Sequence, residues 1–389
     1  MSIKTLVKTG FIFLALALYT GVTGNDSYNL LPKFFALQGI APSQTGFIMS
    51  FTGMGGMLVL PLLALFVDHF KQKRILTAAL VIQLVVPLAY FLPLPFPRLF
   101  AVPRFIQGAM FATMMISFTA ALSHVVPPGS RSKGYALFGI MGQLGGMTSV
   151  AIGEVVFDSF GLAALYAFTS VLFLCSVTFL QFYPEKKIDH GEYQPKITDF
   201  IHVFKNRKIY PALVYIFVLG CGFGTLLSFL PDLVLARGID IVKPFYIAYP
   251  LTVALIRIAL IPFFDKLPAK YVIFIPLLMV PVSLFTVASV NSIILLVCAG
   301  VFYGIAHGVL FPVLLGFLMD HSPANFRARM SLVFQIFFNL GLFISANLGS
   351  LFALNSVAGA FIGMGIITTI GIIILTLQII LQFRRSTPA

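Results

Sequence analysis

The sequence predicts an all-α integral membrane protein, with twelve transmembrane helices in two pseudo-symmetric six-helix bundles. Three observations carry that expectation. Of the 389 residues, 59% are hydrophobic and 10% charged, with a mean hydropathy of +1.01, far from the norm for a soluble domain. Without its polar loops the chain resolves into about a dozen apolar runs, each near the ~20 residues a helix needs to cross a bilayer. The two halves also echo each other about 197 residues apart. Asp68, at the foot of the second run, returns as Asp265 at the foot of the eighth. Leu31-Pro32 with Gly39-Ile40 returns as Leu230-Pro231 with Gly238-Ile239, and Arg131 returns as Arg327.

In chain order the expected spans are 9–34, 43–66, 74–94, 97–122, 134–158 and 161–182, then 209–234, 243–264, 271–291, 293–319, 330–353 and 357–383. These group as a first bundle (1–182), a linker (183–208) and a second bundle (209–389). The linker, the only long polar stretch, has Thr198 and Asp199 as a helix-start signal and Phe200, Ile201 and Phe204 on one face. That pattern suits a short helix on the membrane surface or a plain tether between bundles. The opening residues resemble a signal peptide, but cleavage would remove most of the first helix of a six-helix repeat, so the run is assigned as a span.

The net charge of +13 raises a nucleic-acid partner only until the charges are placed. Nineteen of the 25 Lys and Arg residues fall at the N-terminus, the C-terminus, the linker and the loops after spans two, four, eight and ten. An excess of Lys and Arg marks the cytoplasmic side, so both termini are expected there. The basic balance is topology, and no nucleic acid is expected. Cys175, Cys221 and Cys298 fall inside predicted spans at unrelated spacings, which supports neither disulfides nor a metal site. No cofactor is expected.

Duplicated six-helix bundles are a common architecture for alternating-access transporters, in which two halves rock around a site between them. The residues then resemble one family, the major facilitator superfamily, over essentially the whole chain. Its loop after span two reads roughly Gly-x-x-x-Asp-Arg-x-Gly-Arg-Arg. Here Asp68, Lys73 and Arg74 fit, while Ala64 and His69 depart from the pattern. Its span four carries Arg-x-x-Gln-Gly, matched in full by Arg104, Gln107 and Gly108. A span-five motif of proton-coupled exporters is matched at Gly145 and Gly153 only, and Glu154 replaces its final glycine. The second half, with "YGIAHGVLFP", looks most like the bacterial sugar- and drug-efflux branch. The resemblance implies a secondary transporter of the bacterial inner membrane. It would move a small organic solute by alternating access, with protons and the lipid bilayer as its other partners. Proton-coupled efflux of a sugar or drug-like compound is the leading expectation. Import or facilitated diffusion of a small metabolite, and a non-transporting sensor, remain alternatives. An intramembrane enzyme is not supported, since there is no His-Glu-x-x-His motif.

Ionisable residues at membrane depth are costly, about 2.5–3.5 kcal/mol each at a helix centre, and mark functional pathways. Asp26 on span one and Arg104 on span four stand at similar depth. In the family's fold these helices line the cavity, so they are expected to pair and to act as the proton-coupling unit, or else to pin two helices. Arg257 is assigned to substrate or to a link with Gln143, and His307 to substrate binding or proton relay. Tyr19, Thr23, Asn25, Gln107 and Thr225 are further cavity candidates. Asp68, Lys73, Arg74 and Asp265 are expected to form a conformational latch. Glycines at 53, 55 and 56 and at 139, 142, 145 and 146 are expected to form close-packed seams.

Overall fold

The computed structural model describes residues 9–66, 72–91, 97–126, 131–184, 209–260, 269–321 and 327–386. Asp68, Asp265 and linker residues 185–208 lie outside the described residues. The described residues form helices joined by short turns, with no strand. The long helices are α1 (Thr9–Asp26), α2 (Pro42–Phe66), α3 (Gln72–Val85), α4 (Ala101–Val125), α5 (Arg131–Gln181), α6 (Tyr210–Ala236), α7 (Lys243–Leu260), α8 (Ala269–Ala288), α9 (Ile293–Asp320), α10 (Arg327–Phe352) and α11 (Val357–Ser386). Among the described residues, eight helices are long and apolar enough to cross a membrane.

The 51-residue helical run Arg131–Gln181 is two helices, the fifth and sixth expected spans, divided at Gly161. A straight helix of that length would measure about 77 Å, against a hydrocarbon core of about 30 Å. At Gly161 the backbone leaves helical geometry, with φ 79° and ψ −174°, in a region open to a residue without Cβ. Both arms then pack on α1. Gly145 of the first arm lies against the Tyr19 carbonyl, and Ser176 of the second donates to the Ala17 carbonyl at 2.6 Å. The chain therefore reverses at Gly161. The end of the bundle that carries this reversal is called distal below, and the end that carries Thr9 and Pro184 proximal.

The sequence repeat reappears in three dimensions as matched local geometry. Helices commonly end with a glycine in the left-handed region, its N–H and the next N–H closing on carbonyls of the last turn. Gly39 and Gly238 both have φ 71°. Gly39 donates to Ala36 and Ile40 to Phe35, while Gly238 donates to Leu235 and Ile239 to Val234, all at 3.0 Å. The tight helix crossings match too. Gly108 of α4 meets the Thr52 carbonyl of α2, as Gly304 of α9 meets Thr252 of α7. Gly145 of α5 meets Tyr19 of α1, as Gly341 of α10 meets Phe217 of α6. In each case a Cβ would collide with the neighbouring helix, so glycine sets the approach.

One element breaks the symmetry. Pro32 and Pro231 each remove an N–H and crowd the carbonyl four residues back. In the second half α6 runs straight through Pro231. In the first half the helix tightens into a 3-10 turn at Ser27–Leu30, before a short helix at Leu31–Leu37. Ser27 draws on the Gly24 carbonyl at 2.7 Å and meets Thr169 at 2.5 Å. Asp26 thus ends a helix at a break in the membrane-spanning run.

Exposure follows the repeat as well. Large apolar side chains exposed on α3 (Val81, Ile82, Val85), the second arm of α5 (Val171, Leu174), α8 (Phe274, Ile275) and α11 (Ile366, Ile370, Ile373) form an outer, lipid-compatible wall. By contrast α6 is buried almost all round, which requires a helix apolar on every face. Two seams join the halves, α2 against α10 and α5 against α7. Of the expected seam glycines, Gly53 and Gly56 face Asn339 and Phe343 of α10, and Gly139 faces Arg257 of α7. Gly55 instead faces α4 within its own half.

Candidate functional site

Asp26 and Arg104 are brought into one network but not into an ion pair. Asn25 occupies the space between them. Its amide donates to Asp26 Oδ1 at 3.0 Å, and its carbonyl oxygen accepts from Gln107 Nε2 at 2.6 Å and from Gln83 Nε2 at 3.4 Å. Gln107 Oε1 in turn accepts from Arg104 Nη1 at 2.7 Å. The result is a directed chain, Arg104 to Gln107 to Asn25 to Asp26, in which every link donates toward the carboxylate. Arg104 and Gln107 share a helix face because they are three residues apart. Such a chain carries the influence of a buried cation to a carboxylate without direct contact.

The far side of Arg104 is aromatic. Its guanidinium lies 5.8 Å from the Tyr28 ring centre. Tyr28, Tyr90 and Tyr166 pack together at 5.4–6.1 Å between centroids. Arg104 is 1% exposed and Tyr28 fully buried. A cation–π contact is strongest when desolvated in this way. Spacing along the chain gives no sign of this trio, since its members come from three separate segments. Gln83 was missed for the same reason.

Asp26 Oδ2 stands against Gly146, where a Cβ would lie 2.6 Å from it. The glycine therefore makes room for the carboxylate. Gln107→Leu would leave Arg104 Nη1 without its acceptor and Asn25 Oδ1 with only the 3.4 Å bond from Gln83, at about 1–3 kcal/mol for a buried group that loses its partner. We expect that variant to lose several degrees of thermal stability in detergent, whereas the isosteric Gln107→Glu should lose less. A thermal melt followed by size exclusion reads the difference.

In the second half His307 sits inside an aromatic box. Its ring stacks on Tyr249 (5.7 Å, 14°) and on Phe338 (6.1 Å, 26°), with Phe223, Tyr303 and Phe311 at its edges. The Tyr249 hydroxyl meets His307 Nδ1. Arg257 lies 6.0 Å from the Phe311 ring centre and beside Gly139. Among the described residues no hydrogen bond joins it to Gln143. Tyr303 and His307 are four residues apart and so share a face, the one part of the box readable from sequence.

The remaining candidates are placed as follows. Tyr19 donates to Thr148 at 3.0 Å. Thr23 and Thr225 each return their hydroxyl to the carbonyl four residues back, which ties them to their own helices. Lys73 donates to the Gln181 and Tyr183 carbonyls at the proximal end of α5, within its own half, and Arg74 is exposed.

A second charged cluster, absent from the expected site, joins the halves at the distal end. Lys33 Nζ contacts Glu154 Oε1 at 3.1 Å and Asp158 Oδ1 at 2.8 Å, and donates to the Asp240 carbonyl at 3.0 Å. Glu154 also accepts from the backbone N–H groups of Val242 and Lys243 at 2.8 and 2.9 Å, capping the first turn of α7. Free N–H groups and the helix dipole favour a carboxylate there. Lys33 is 4% exposed and Glu154 1%.

The fold and these sites define a class: a polytopic helical membrane protein whose halves meet along two seams, with charged groups buried where they join. The family model of the Major Facilitator Superfamily matches residues 11–346, and the chain belongs to that family. It is a transporter of the major facilitator type. No curated protein matches it in sequence. Solved structures that share the fold include the nucleoside transporter NupG, solved as a single-residue mutant (TM-score 0.78, 14% identity, 96% of this chain and 100% of that one). Others are a POT family transporter in complex with a thioalcohol-conjugated peptide (0.77, 14%, 97% and 96%) and the human organic anion transporter MFSD10 (0.68, 15%, 94% and 99%).

Proposed function

We propose that this protein is a proton-coupled secondary transporter that exports a small organic solute by alternating access, with both termini cytoplasmic in a bacterial inner membrane. Counting the two arms of α5 as separate spans gives twelve, in bundles 1–182 and 209–389. The observation that carries the coupling is the chain of donors from Arg104 through Gln107 and Asn25 to Asp26. A carboxylate at a helix break, supported by a cation it does not touch, can take up a proton without releasing a salt bridge. Protonation removes the negative charge that strengthens the bond from Asn25 to Oδ1, so the bond is no longer charge-assisted and the chain that ties α1 to α4 weakens.

The solute would lie between that network and the aromatic box. His307, Tyr249, Phe223 and Phe338 offer ring faces, and Arg257 offers a cation. This combination favours an organic molecule with a flat or apolar body over a bare inorganic ion. The distal cluster of Lys33 and Glu154 would keep the periplasmic side closed in this state. Asp68 and Asp265, with Lys73 and Arg74, are retained as the cytoplasmic latch.

Inverted membrane vesicles energised to an acidic lumen, with a pH-sensitive dye, test this reading. Sugars, organic acids, nucleosides and cationic drugs would be added in turn. A compound that dissipates the gradient only where the protein is present supports proton antiport. No such compound, together with increased radiolabelled uptake into intact cells, would replace export with import or facilitated diffusion.

A further inference from the structure

Asp232 was not singled out by its sequence context, yet it is the most exceptional carboxyl in the described structure. It lies on α6 one residue beyond Pro231 and is 4% exposed. Neither carboxyl oxygen has a hydrogen-bond partner. An ionised carboxylate removed from water with nothing to stabilise it carries a penalty of several kcal/mol. Buried polar groups are almost always satisfied, so an exception calls for an explanation.

The internal repeat sharpens the contrast. Leu230-Pro231-Asp232 occupies the place that Leu31-Pro32-Lys33 occupies in the first half. Lys33 is fully paired across the α5–α7 seam, whereas Asp232, its counterpart, has no partner. The first turn of α2 reaches α6 at this level, with Gly46 packed on Phe229. The Thr45 and Ser228 hydroxyls, on the same two segments, are also buried without partners. Ser228 and Asp232 are four residues apart and share a face of α6.

The charged groups at this end are accounted for by other bonds or positions. Lys33, on the short helix packed against α6, is held by Glu154, Asp158 and the Asp240 carbonyl. Arg237 donates to the Ala288 carbonyl, and Arg98 lies over Phe47 of α2. Lys243 and Asp240 belong to the α7 side of the cluster around Glu154. The distal halves of α2, α10 and α11 carry no charged residue. Among the described residues, no cation stands ready to neutralise Asp232.

We propose that Asp232 is a proton-binding site, protonated while α2 is packed on α6 and giving up that proton to water when the distal end of this seam opens. In the step, the carboxyl O–H bond breaks, its electron pair stays on oxygen, and the proton passes to water that reaches the opened face. Resealing reverses it. The neutral acid is compatible with the packed seam, and the anion is compatible only with the hydrated one. The proposal rests on the transporter reading only in requiring two states of the seam; its test needs no substrate.

Infrared spectroscopy of the full-length protein in detergent reads a protonated carboxyl directly through its carbonyl stretch. The wild type should show a buried-acid band at neutral pH that disappears in Asp232→Asn and survives in Asp26→Asn. A second readout uses spin labels at Gln38→Cys and Asn291→Cys, both exposed at the distal end. The ratio of open to sealed distances should rise by up to about tenfold per pH unit through release of this one proton. In Asp232→Asn that contribution disappears and the sealed distance persists into alkali. An unchanged infrared band in folded Asp232→Asn, an unchanged pH slope, or a distance that responds to sodium rather than to pH would overturn the proposal. Each of these can fail while proton-driven transport stands, and each can succeed if transport proves uncoupled.

Discussion

Replacing Lys33 with methionine is expected to open the distal end of the α5–α7 seam. The substitution keeps most of the apolar stem and removes the ammonium. Glu154 then remains buried at 1% exposure with two backbone donors and no cation. Removing one partner of a buried pair costs about 3–5 kcal/mol. The Asp158 contact adds little, because its side chain is 44% exposed and solvent-screened pairs contribute about 0–1 kcal/mol. Even the lower figure shifts a two-state equilibrium by about a hundredfold. Spin labels across the distal face should report a long distance in Lys33→Met that the wild type barely populates. Lys33→Arg should remain sealed. The double change Lys33→Met with Glu154→Gln should restore much of the closed population, since the orphaned charge is gone. A Lys33→Met protein as closed as wild type would remove the gate from the account.

Gly108→Leu is expected to prevent stable folding. Any Cβ at this position meets the Thr52 carbonyl of α2, and backbone cannot turn aside as a side-chain tip can. Overpacking by ordinary insertion costs about 1–3 kcal/mol. Here two helices would also have to separate, disturbing the reciprocal notch where Gly55 lies against Phe105. Gly304→Leu should behave alike, because its Cβ would meet Thr252 and the Tyr249 carbonyl. Gly316→Leu serves as a control, since nothing lies within 4 Å of a Cβ there. Size exclusion of detergent extracts should show monodisperse protein for Gly316→Leu and loss of the folded peak for the other two.

The glycine contacts show why the repeat was legible. Caps and close crossings demand particular residues at fixed offsets, so Gly39 with Gly238 and Leu31-Pro32 with Leu230-Pro231 leave a mark in the sequence. Arg104 and Gln107 were legible together because three-residue spacing fixes a shared face. Asp26 and Arg104 stand in one hydrogen-bond chain rather than in the direct pair expected of them. Depth along a helix says nothing of rotation, and Asn25 is the residue turned toward Gln107. The contact between Lys33 and Glu154 was not legible because it spans 121 positions and joins different segments. Asp232 escaped for another reason. A residue at the end of an apolar run reads as a rim residue unless its burial is known, and helices apolar on all faces carry no periodicity to reveal it.

Asp26→Asn is the most direct test of the central claim. In liposomes, with a compound identified by the vesicle screen, two modes would be measured side by side. Counterflow exchange requires only binding and alternation, while concentrative movement requires the proton gradient. The account predicts that Asp26→Asn retains counterflow and loses gradient-driven accumulation, because asparagine preserves the Asn25 contact but cannot carry a proton. Accumulation at the wild-type level in Asp26→Asn would contradict it and remove Asp26 from proton coupling.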